Sequence, residues 1–129
     1  MGYLFISNDT LASPPKGNGV SIQAAQTPPG YYIELPKEKM VIGRLEPPQE
    51  TEFLWLQLDH DSVSKRHCCT LCLRDHFAIQ DLNSSSGIVV NNVRIGGATA
   101  LLMPGDRIQI GKVKIEYMIN LPAADKLET

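Results

Sequence analysis

The sequence contains no apolar run approaching the roughly 20 residues that a membrane-spanning helix requires, and its first residues lack the basic-then-apolar layout of a secretory signal. A soluble, intracellular protein with no membrane partner is the expectation. Met1-Gly2 opens like a myristoylation signal, but Ile6 stands where that signal wants Ser or Thr. There is no excess of positive charge either: 12 Lys and Arg face 14 Asp and Glu, for a formal net charge of −2 and a pI near 5.9. Nucleic-acid affinity draws on counterion release by clustered cations, so this balance argues against a DNA or RNA partner. Cysteine is scarce, and Cys68, Cys69 and Cys72 are an odd number crowded into five positions, a poor disulfide framework that suits a reducing compartment. Cys69-x-x-Cys72, with His67 or His76, invites a zinc reading. The segment reads as a strand, however, where residues three apart point to opposite faces and cannot share one metal. No metal and no cofactor are expected, and the thiols read as small core or surface groups.

No long amphipathic helix is evident. What recurs instead are short runs rich in aliphatic, aromatic and β-branched residues, separated by clusters of Gly, Pro, Asn, Asp and Ser. They fall at Val20 to Ala24, Tyr31 to Leu35, Met40 to Ile42, Phe53 to Leu58 and Cys68 to Leu73. Further runs follow at Phe77 to Asp81, Ile88 to Asn91, Ala100 to Leu102, Arg107 to Ile110 and Lys112 to Ile119. Strands at this spacing predict a sandwich of antiparallel sheets, and 129 residues suit one domain that buries about two thirds of its unfolded surface. In the last run Val113, Ile115 and Tyr117 share one face and Lys112, Lys114 and Glu116 the other, so one face is core and the other wet. By the same alternation Cys69, Leu71 and Leu73 point inward. Tyr3-Leu4-Phe5-Ile6 reads as an extra edge strand, or as packing against the sandwich, ahead of the loop from Ser13 to Gly19.

Three polar segments interrupt these runs: Gly43-Arg44, Val63-Ser64-Lys65-Arg66-His67 and Asp81-Leu82-Asn83-Ser84-Ser85-Ser86-Gly87. They combine cations and hydroxyls in loops between strands, the chemistry that holds a phosphate without hydrolysing it. A guanidinium grips phosphate oxygens as a planar fork, and serine hydroxyls and loop amides complete the anion's hydrogen bonds. A hydrolase built on Ser64, His67 and Asp59 or Asp61 would need a base within reach of the nucleophile and an oxyanion hole. Those residues share a short loop with no glycine elbow, so no enzyme is expected. A calcium loop at Asp59-His60-Asp61 fails as well, because Ser64 occupies the glycine position and Thr70 the bidentate glutamate position.

The ordered set Gly43-Arg44, Ser64-Lys65-Arg66-His67, Ser84-Ser85-Ser86-Gly87-Ile88 with Asn91, and Gly105-Asp106 before Arg107-Ile108-Gln109-Ile110-Gly111 resembles the forkhead-associated (FHA) family of phosphothreonine-binding domains. The likeness covers roughly residues 20 to 119. It implies an all-β sandwich of two antiparallel sheets, FHA/SMAD-like, with about eleven strands. It divides the chain into an N-terminal extension with a candidate extra strand (1–19), the FHA domain (20–120) and a polar tail (121–129), as if the domain were part of a longer multidomain chain. The implied activity is recruitment of a phosphothreonine-containing protein, inside the cell, with the nucleus favoured over the cytoplasm.

The resemblance also assigns roles. Arg44, Ser64, Lys65 and Ser85 hold the phosphate, and Ser86 and Arg66 contact the peptide. Gly43, His67, Gly87 and Asn91 are structural: Gly43 permits a close turn, His67 faces inward and braces the loop carrying Ser64, and Gly87 supplies a positive φ. The family buries the residue after the histidine, here Cys68, and a bulge would reconcile that with the alternation. Two positions depart from the pattern, Ser86 where the family most often has Asn and Ile88 where it often has Thr. A carboxamide both donates to and accepts from a peptide main chain, which a serine hydroxyl is too short to do. The alternative is therefore a degenerate FHA domain acting as a phosphate-independent scaffold or dimerisation unit.

Overall fold

The computed structural model describes residues 2–26, 28–45, 54–97 and 99–121. Thirteen strands account for most of them: β1 (Tyr3–Ser7), β2 (Lys16–Asn18), β3 (Ile22–Gln26), β4 (Pro29–Glu34), β5 (Met40–Gly43), β6 (Leu54–Gln57), β7 (Cys68–Leu73), β8 (His76–Asp81), β9 (Ile88–Val90), β10 (Val93–Arg94), β11 (Thr99–Leu101), β12 (Arg107–Ile110) and β13 (Val113–Met118). One 3-10 turn at Asn8–Thr10 is the only helical element among the described residues. The strands form a seven-stranded sheet in the order β10-β9-β12-β13-β1-β4-β3 and a six-stranded sheet in the order β11-β8-β7-β5-β6-β2. Pairing is antiparallel except between β5 and β6, which run parallel. The polar tail lies almost wholly outside the described residues.

Alternation decides what each sheet buries. In β13, Val113, Ile115 and Tyr117 are at most 3% exposed, whereas Lys114 and Glu116 face solvent. Leu4 and Ile6 of β1, Ile33 of β4, Ile108 and Ile110 of β12 meet Met40 and Ile42 of β5, Leu56 of β6 and Ile79 of β8 in one core cluster. Burying a single side chain of this size contributes about 1.5–3 kcal/mol, so the two sheets hold together without any disulfide.

Two local expectations are corrected. The segment Tyr3 to Ile6 is not at an edge: as β1 it sits inside the seven-stranded sheet, paired with β13 on one side and β4 on the other, and both Leu4 and Ile6 have no exposed surface. In β7 the inward face is that of Cys68, which belongs to the core, with Cys72 packed against it, while Leu73 is 48% exposed. No bulge is involved, because β7 pairs with β8 in unbroken register from Cys68 to Leu73. The partner strand sets the face: Cys68 and Thr70 lie opposite Ile42 and Met40, both core residues of β5. Cys69 reaches instead towards Gln80, and Cys72 donates to the Arg74 carbonyl.

Because β5 and β6 end together, where β7 begins and β8 ends, Gly43-Arg44, the loop before β7 and the loop after β8 emerge at one end of the sandwich. The turn between β12 and β13 joins them there. A Cβ on Gly111, whose φ is +60°, would strike the Ser62 carbonyl.

Candidate phosphate-binding loops

Val63, 1% exposed, anchors the loop before β7 in the core and leaves the following polar residues at the surface. Gly43 lets this loop lie directly on β5. Its φ is not positive, and what its missing side chain allows is closeness: a Cβ there would collide with the Lys65 carbonyl oxygen and come within 3.0 Å of Arg66 Cα. The approach allows the Arg44 amide to donate to the Ser64 carbonyl at 3.0 Å. The Arg44 side chain is fastened too. Its Nε–H donates to the Val63 carbonyl at 3.1 Å, while Gln57 Nε2 donates to the Arg44 carbonyl at 3.0 Å. One of five guanidinium N–H groups is thereby used to aim the fork, and its terminal nitrogens have no partner among the described residues.

His67 is fully buried and joins two loops. The Ser64 amide donates to Nδ1 at 2.9 Å, and Nε2 lies 2.7 Å from the Gly87 carbonyl. Since Nδ1 accepts, the neutral tautomer with the proton on Nε2 satisfies both contacts. Both ring nitrogens are thus committed to main chain, and neither is available to deprotonate Ser64. The Ser64 hydroxyl instead lies 3.2 Å from the Ser85 hydroxyl and accepts from the Ser85 amide at 3.1 Å. Asp59 accepts from Ser13 Oγ at 2.7 Å. The residues weighed as a hydrolase do not form a nucleophile-and-base relay.

The loop after β8 is shaped from below. Asp81 accepts from the Ser84 amide and hydroxyl, the Ser84 hydroxyl accepts from the Gly87 amide at 2.8 Å, and Gly87 adopts φ +73°. A glycine reaches that region without the steric cost that other residues carry. Ser85 and Ser86 are left exposed at the crest. Arg44, Ser64 and Ser85 thus meet across three loops, with exposed Lys65 beside them. Ser86 donates its hydroxyl to the Ser62 carbonyl at 3.2 Å, and Arg66 lies over the Trp55 ring, 5.8 Å from its centroid. Asn91, with φ +50°, fastens the start of β12: its carboxamide donates to Asp106 and accepts from the Arg107 amide.

Two residues emerge that the sequence did not single out. Ser62 is a hub, because its hydroxyl contacts His60 Nδ1 at 2.7 Å and accepts from the Lys112 amide at 2.7 Å, while its carbonyl receives Ser86. No local pattern marks such a role. Arg94 lays its guanidinium against Gly87, with Nε 2.8 Å from where a Cβ would stand. The Asp81-x-x-Ser84 spacing, by contrast, was a readable turn signal.

Comparison with known proteins agrees with this geometry. The model of the FHA domain family matches residues 40–111, more than half of the chain. The search of curated proteins found no match. Among solved structures, the FHA domain of FhaA in complex with an intracellular domain superposes with a TM-score of 0.62 at 23% identity, covering 91% of this chain and 99% of that one. An FHA domain studied for phosphothreonine-dependent interactions gives 0.61 at 23% identity, over 94% and 98%. Mycobacterium tuberculosis EmbR, bound to a low-affinity phosphopeptide, gives 0.59 at 26% identity, over 81% of this chain and 25% of that one.

Proposed function

The chain belongs to the FHA domain family, and from that premise we propose that it is a phosphothreonine-dependent protein-interaction module that binds a phosphorylated partner peptide and catalyses nothing. The observation that carries the reading is the convergence of a half-buried Arg44, whose guanidinium is held through Nε alone among the described residues, with the Ser64 and Ser85 hydroxyls 3.2 Å apart. A dianionic phosphate placed there receives a bidentate guanidinium and two hydroxyl donors, with Lys65 adding a point charge at the rim. His67, Gly87 and Gly43 hold the donors in place before ligand arrives, which lowers the ordering cost of binding. Ser86 and Arg66 border the peptide's path. The EmbR phosphopeptide complex and the FHA domain studied for phosphothreonine-dependent interactions support the same kind of partner, and three free thiols support a reducing, intracellular setting.

The test is calorimetric titration with phosphothreonine peptides selected from an oriented library, each alongside its unphosphorylated twin. Wild type should bind only the phosphorylated form, and Arg44→Ala should weaken binding by the about 2–5 kcal/mol typical of truncating one partner of a desolvated charge pair. An unchanged dissociation constant would show that Arg44 is not the phosphate ligand. One observation favours a second reading, a phosphate-independent scaffold or dimerisation unit: the Ser86 donor is spent on the Ser62 carbonyl and is not free for a peptide main chain. Failure of every phosphopeptide to bind would select that reading.

A further inference from the structure

The outer face of the seven-stranded sheet carries a second cationic surface just below the phosphate loops. Cross-strand register aligns Arg94, Val89, Gln109 and Lys114 in one row across β10, β9, β12 and β13. The next row is Arg107, Glu116, Phe5 and Tyr32. Between them lies a groove of about 520 Å³ whose walls include Phe5, Asn91, Arg107, Gln109, Lys114 and Glu116. Phe5 packs against Tyr32 at a tilt of 48°, with ring centroids 4.9 Å apart. The groove contains two cations and one carboxylate, and Arg94, outside its lining but paired opposite the lining residue Val89, adds a third cation nearby, on a chain whose overall charge is −2. Among the described residues none of these three cations has an ion-pair partner.

Arg94 makes the groove continuous with the proposed phosphate site, because its guanidinium covers Gly87, two residues after Ser85. Lys114 lies about two residues along the strand direction from Gly87 and two strands across. At roughly 3.4 Å per residue and 4.8 Å per strand this is about 12 Å, the reach of about four extended residues. Resting on the phosphothreonine reading, we propose that this groove is a second subsite for the same partner chain, taking an acidic segment about three to five residues from the phosphothreonine. Arg94 meets the first carboxylate, and Lys114 and Arg107 meet those that follow. Unpaired, exposed cations meeting carboxylates at a rim supply selectivity more than raw affinity, and salt screens them.

Fluorescence anisotropy with three phosphothreonine peptides tests the proposal. They carry Asp and Glu, Gln, or Lys at the three-to-five spacing on either side of the phosphothreonine, and each is matched by an unphosphorylated twin. Wild type should bind the acidic phosphopeptide about fivefold more tightly than the neutral one, and the basic one more weakly. In Arg107→Gln/Lys114→Gln the acidic advantage should fall below about twofold, while the neutral phosphopeptide's Kd and the melting temperature stay at wild-type values. Equal binding of acidic and neutral phosphopeptides to wild type, or a preference that survives in the double variant, overturns the subsite alone. If the acidic twin binds without its phosphate as tightly as with it, the groove is not tied to a phosphate anchor and the proposal falls. If no phosphopeptide binds wild type, the phosphothreonine reading falls and the subsite with it.

Discussion

Replacing His67 with alanine should damage the fold and the binding face together. The imidazole has no exposed surface, so its removal leaves a cavity, and large-to-small changes at fully buried sites cost about 2–5 kcal/mol. A polar ring supplies less transfer energy than a leucine, which places this contribution near the lower end. Two partners also lose their contacts. The Gly87 carbonyl is buried, so leaving it unsatisfied costs about 1–3 kcal/mol, whereas the half-buried Ser64 amide can turn to water at little cost. The total is about 3–5 kcal/mol, and for a chain of this size that corresponds to roughly 10–20 °C in melting temperature. Ser64→Ala is the matched control: it removes a surface hydroxyl whose described contacts are to the Ser85 amide and hydroxyl, so its stability cost stays below about 1 kcal/mol while its phosphopeptide affinity drops. Calorimetric or circular-dichroism melts of the three proteins, with titrations at a temperature where all are folded, separate the effects. If His67→Ala melts within about 2 °C of wild type, the bracing role is wrong.

Other perturbations follow from the same geometry. Gly43→Ala should push the Lys65–Arg66 backbone off β5, costing about 1–3 kcal/mol by overpacking and weakening phosphopeptide binding more than tenfold; a stable, fully binding variant would contradict the close approach. Stability should fall in alkali, because burial raises the Cys68 thiol well above 9.0, helped by Cys69 and Asp81, and burial also raises Cys69 and Tyr117. The unfolded thiols release protons near pH 9 while the folded ones retain them, so this stability is intact below about pH 9 and is lost above it by up to about 1.4 kcal/mol per group per pH unit. A melting temperature unchanged between pH 8 and 10.5 would refute this. Ser86→Asn should strengthen phosphopeptide binding by up to two main-chain hydrogen bonds of about 0.5–1.5 kcal/mol each, measured by calorimetry against the unphosphorylated twin. No gain would indicate that no peptide main chain passes that position.

Side-chain periodicity and loop chemistry were legible from sequence because they are local. The alternation of Val113, Ile115 and Tyr117 against Lys114 and Glu116 marked a half-buried strand, and the placement of Arg44, Ser64, Lys65 and Ser85 in polar segments between strands marked candidate anion-binding loops. Neither depends on which strands are neighbours. Sheet order does, and it is set by pairings across the whole chain: β1 lies between β13 and β4, more than a hundred residues from the first of these, so no window around Tyr3 could show that it is interior. The face that β7 presents was likewise decided by its register on Met40 and Ile42, against the pull of Leu71 and Leu73. Contacts between loops are hidden for the same reason. That Gly43 serves the backbone of Lys65, that Ser62 ties three loops together and that Arg94 covers Gly87 are consequences of where two sheets bring their ends, and only packing of the complete chain determines that.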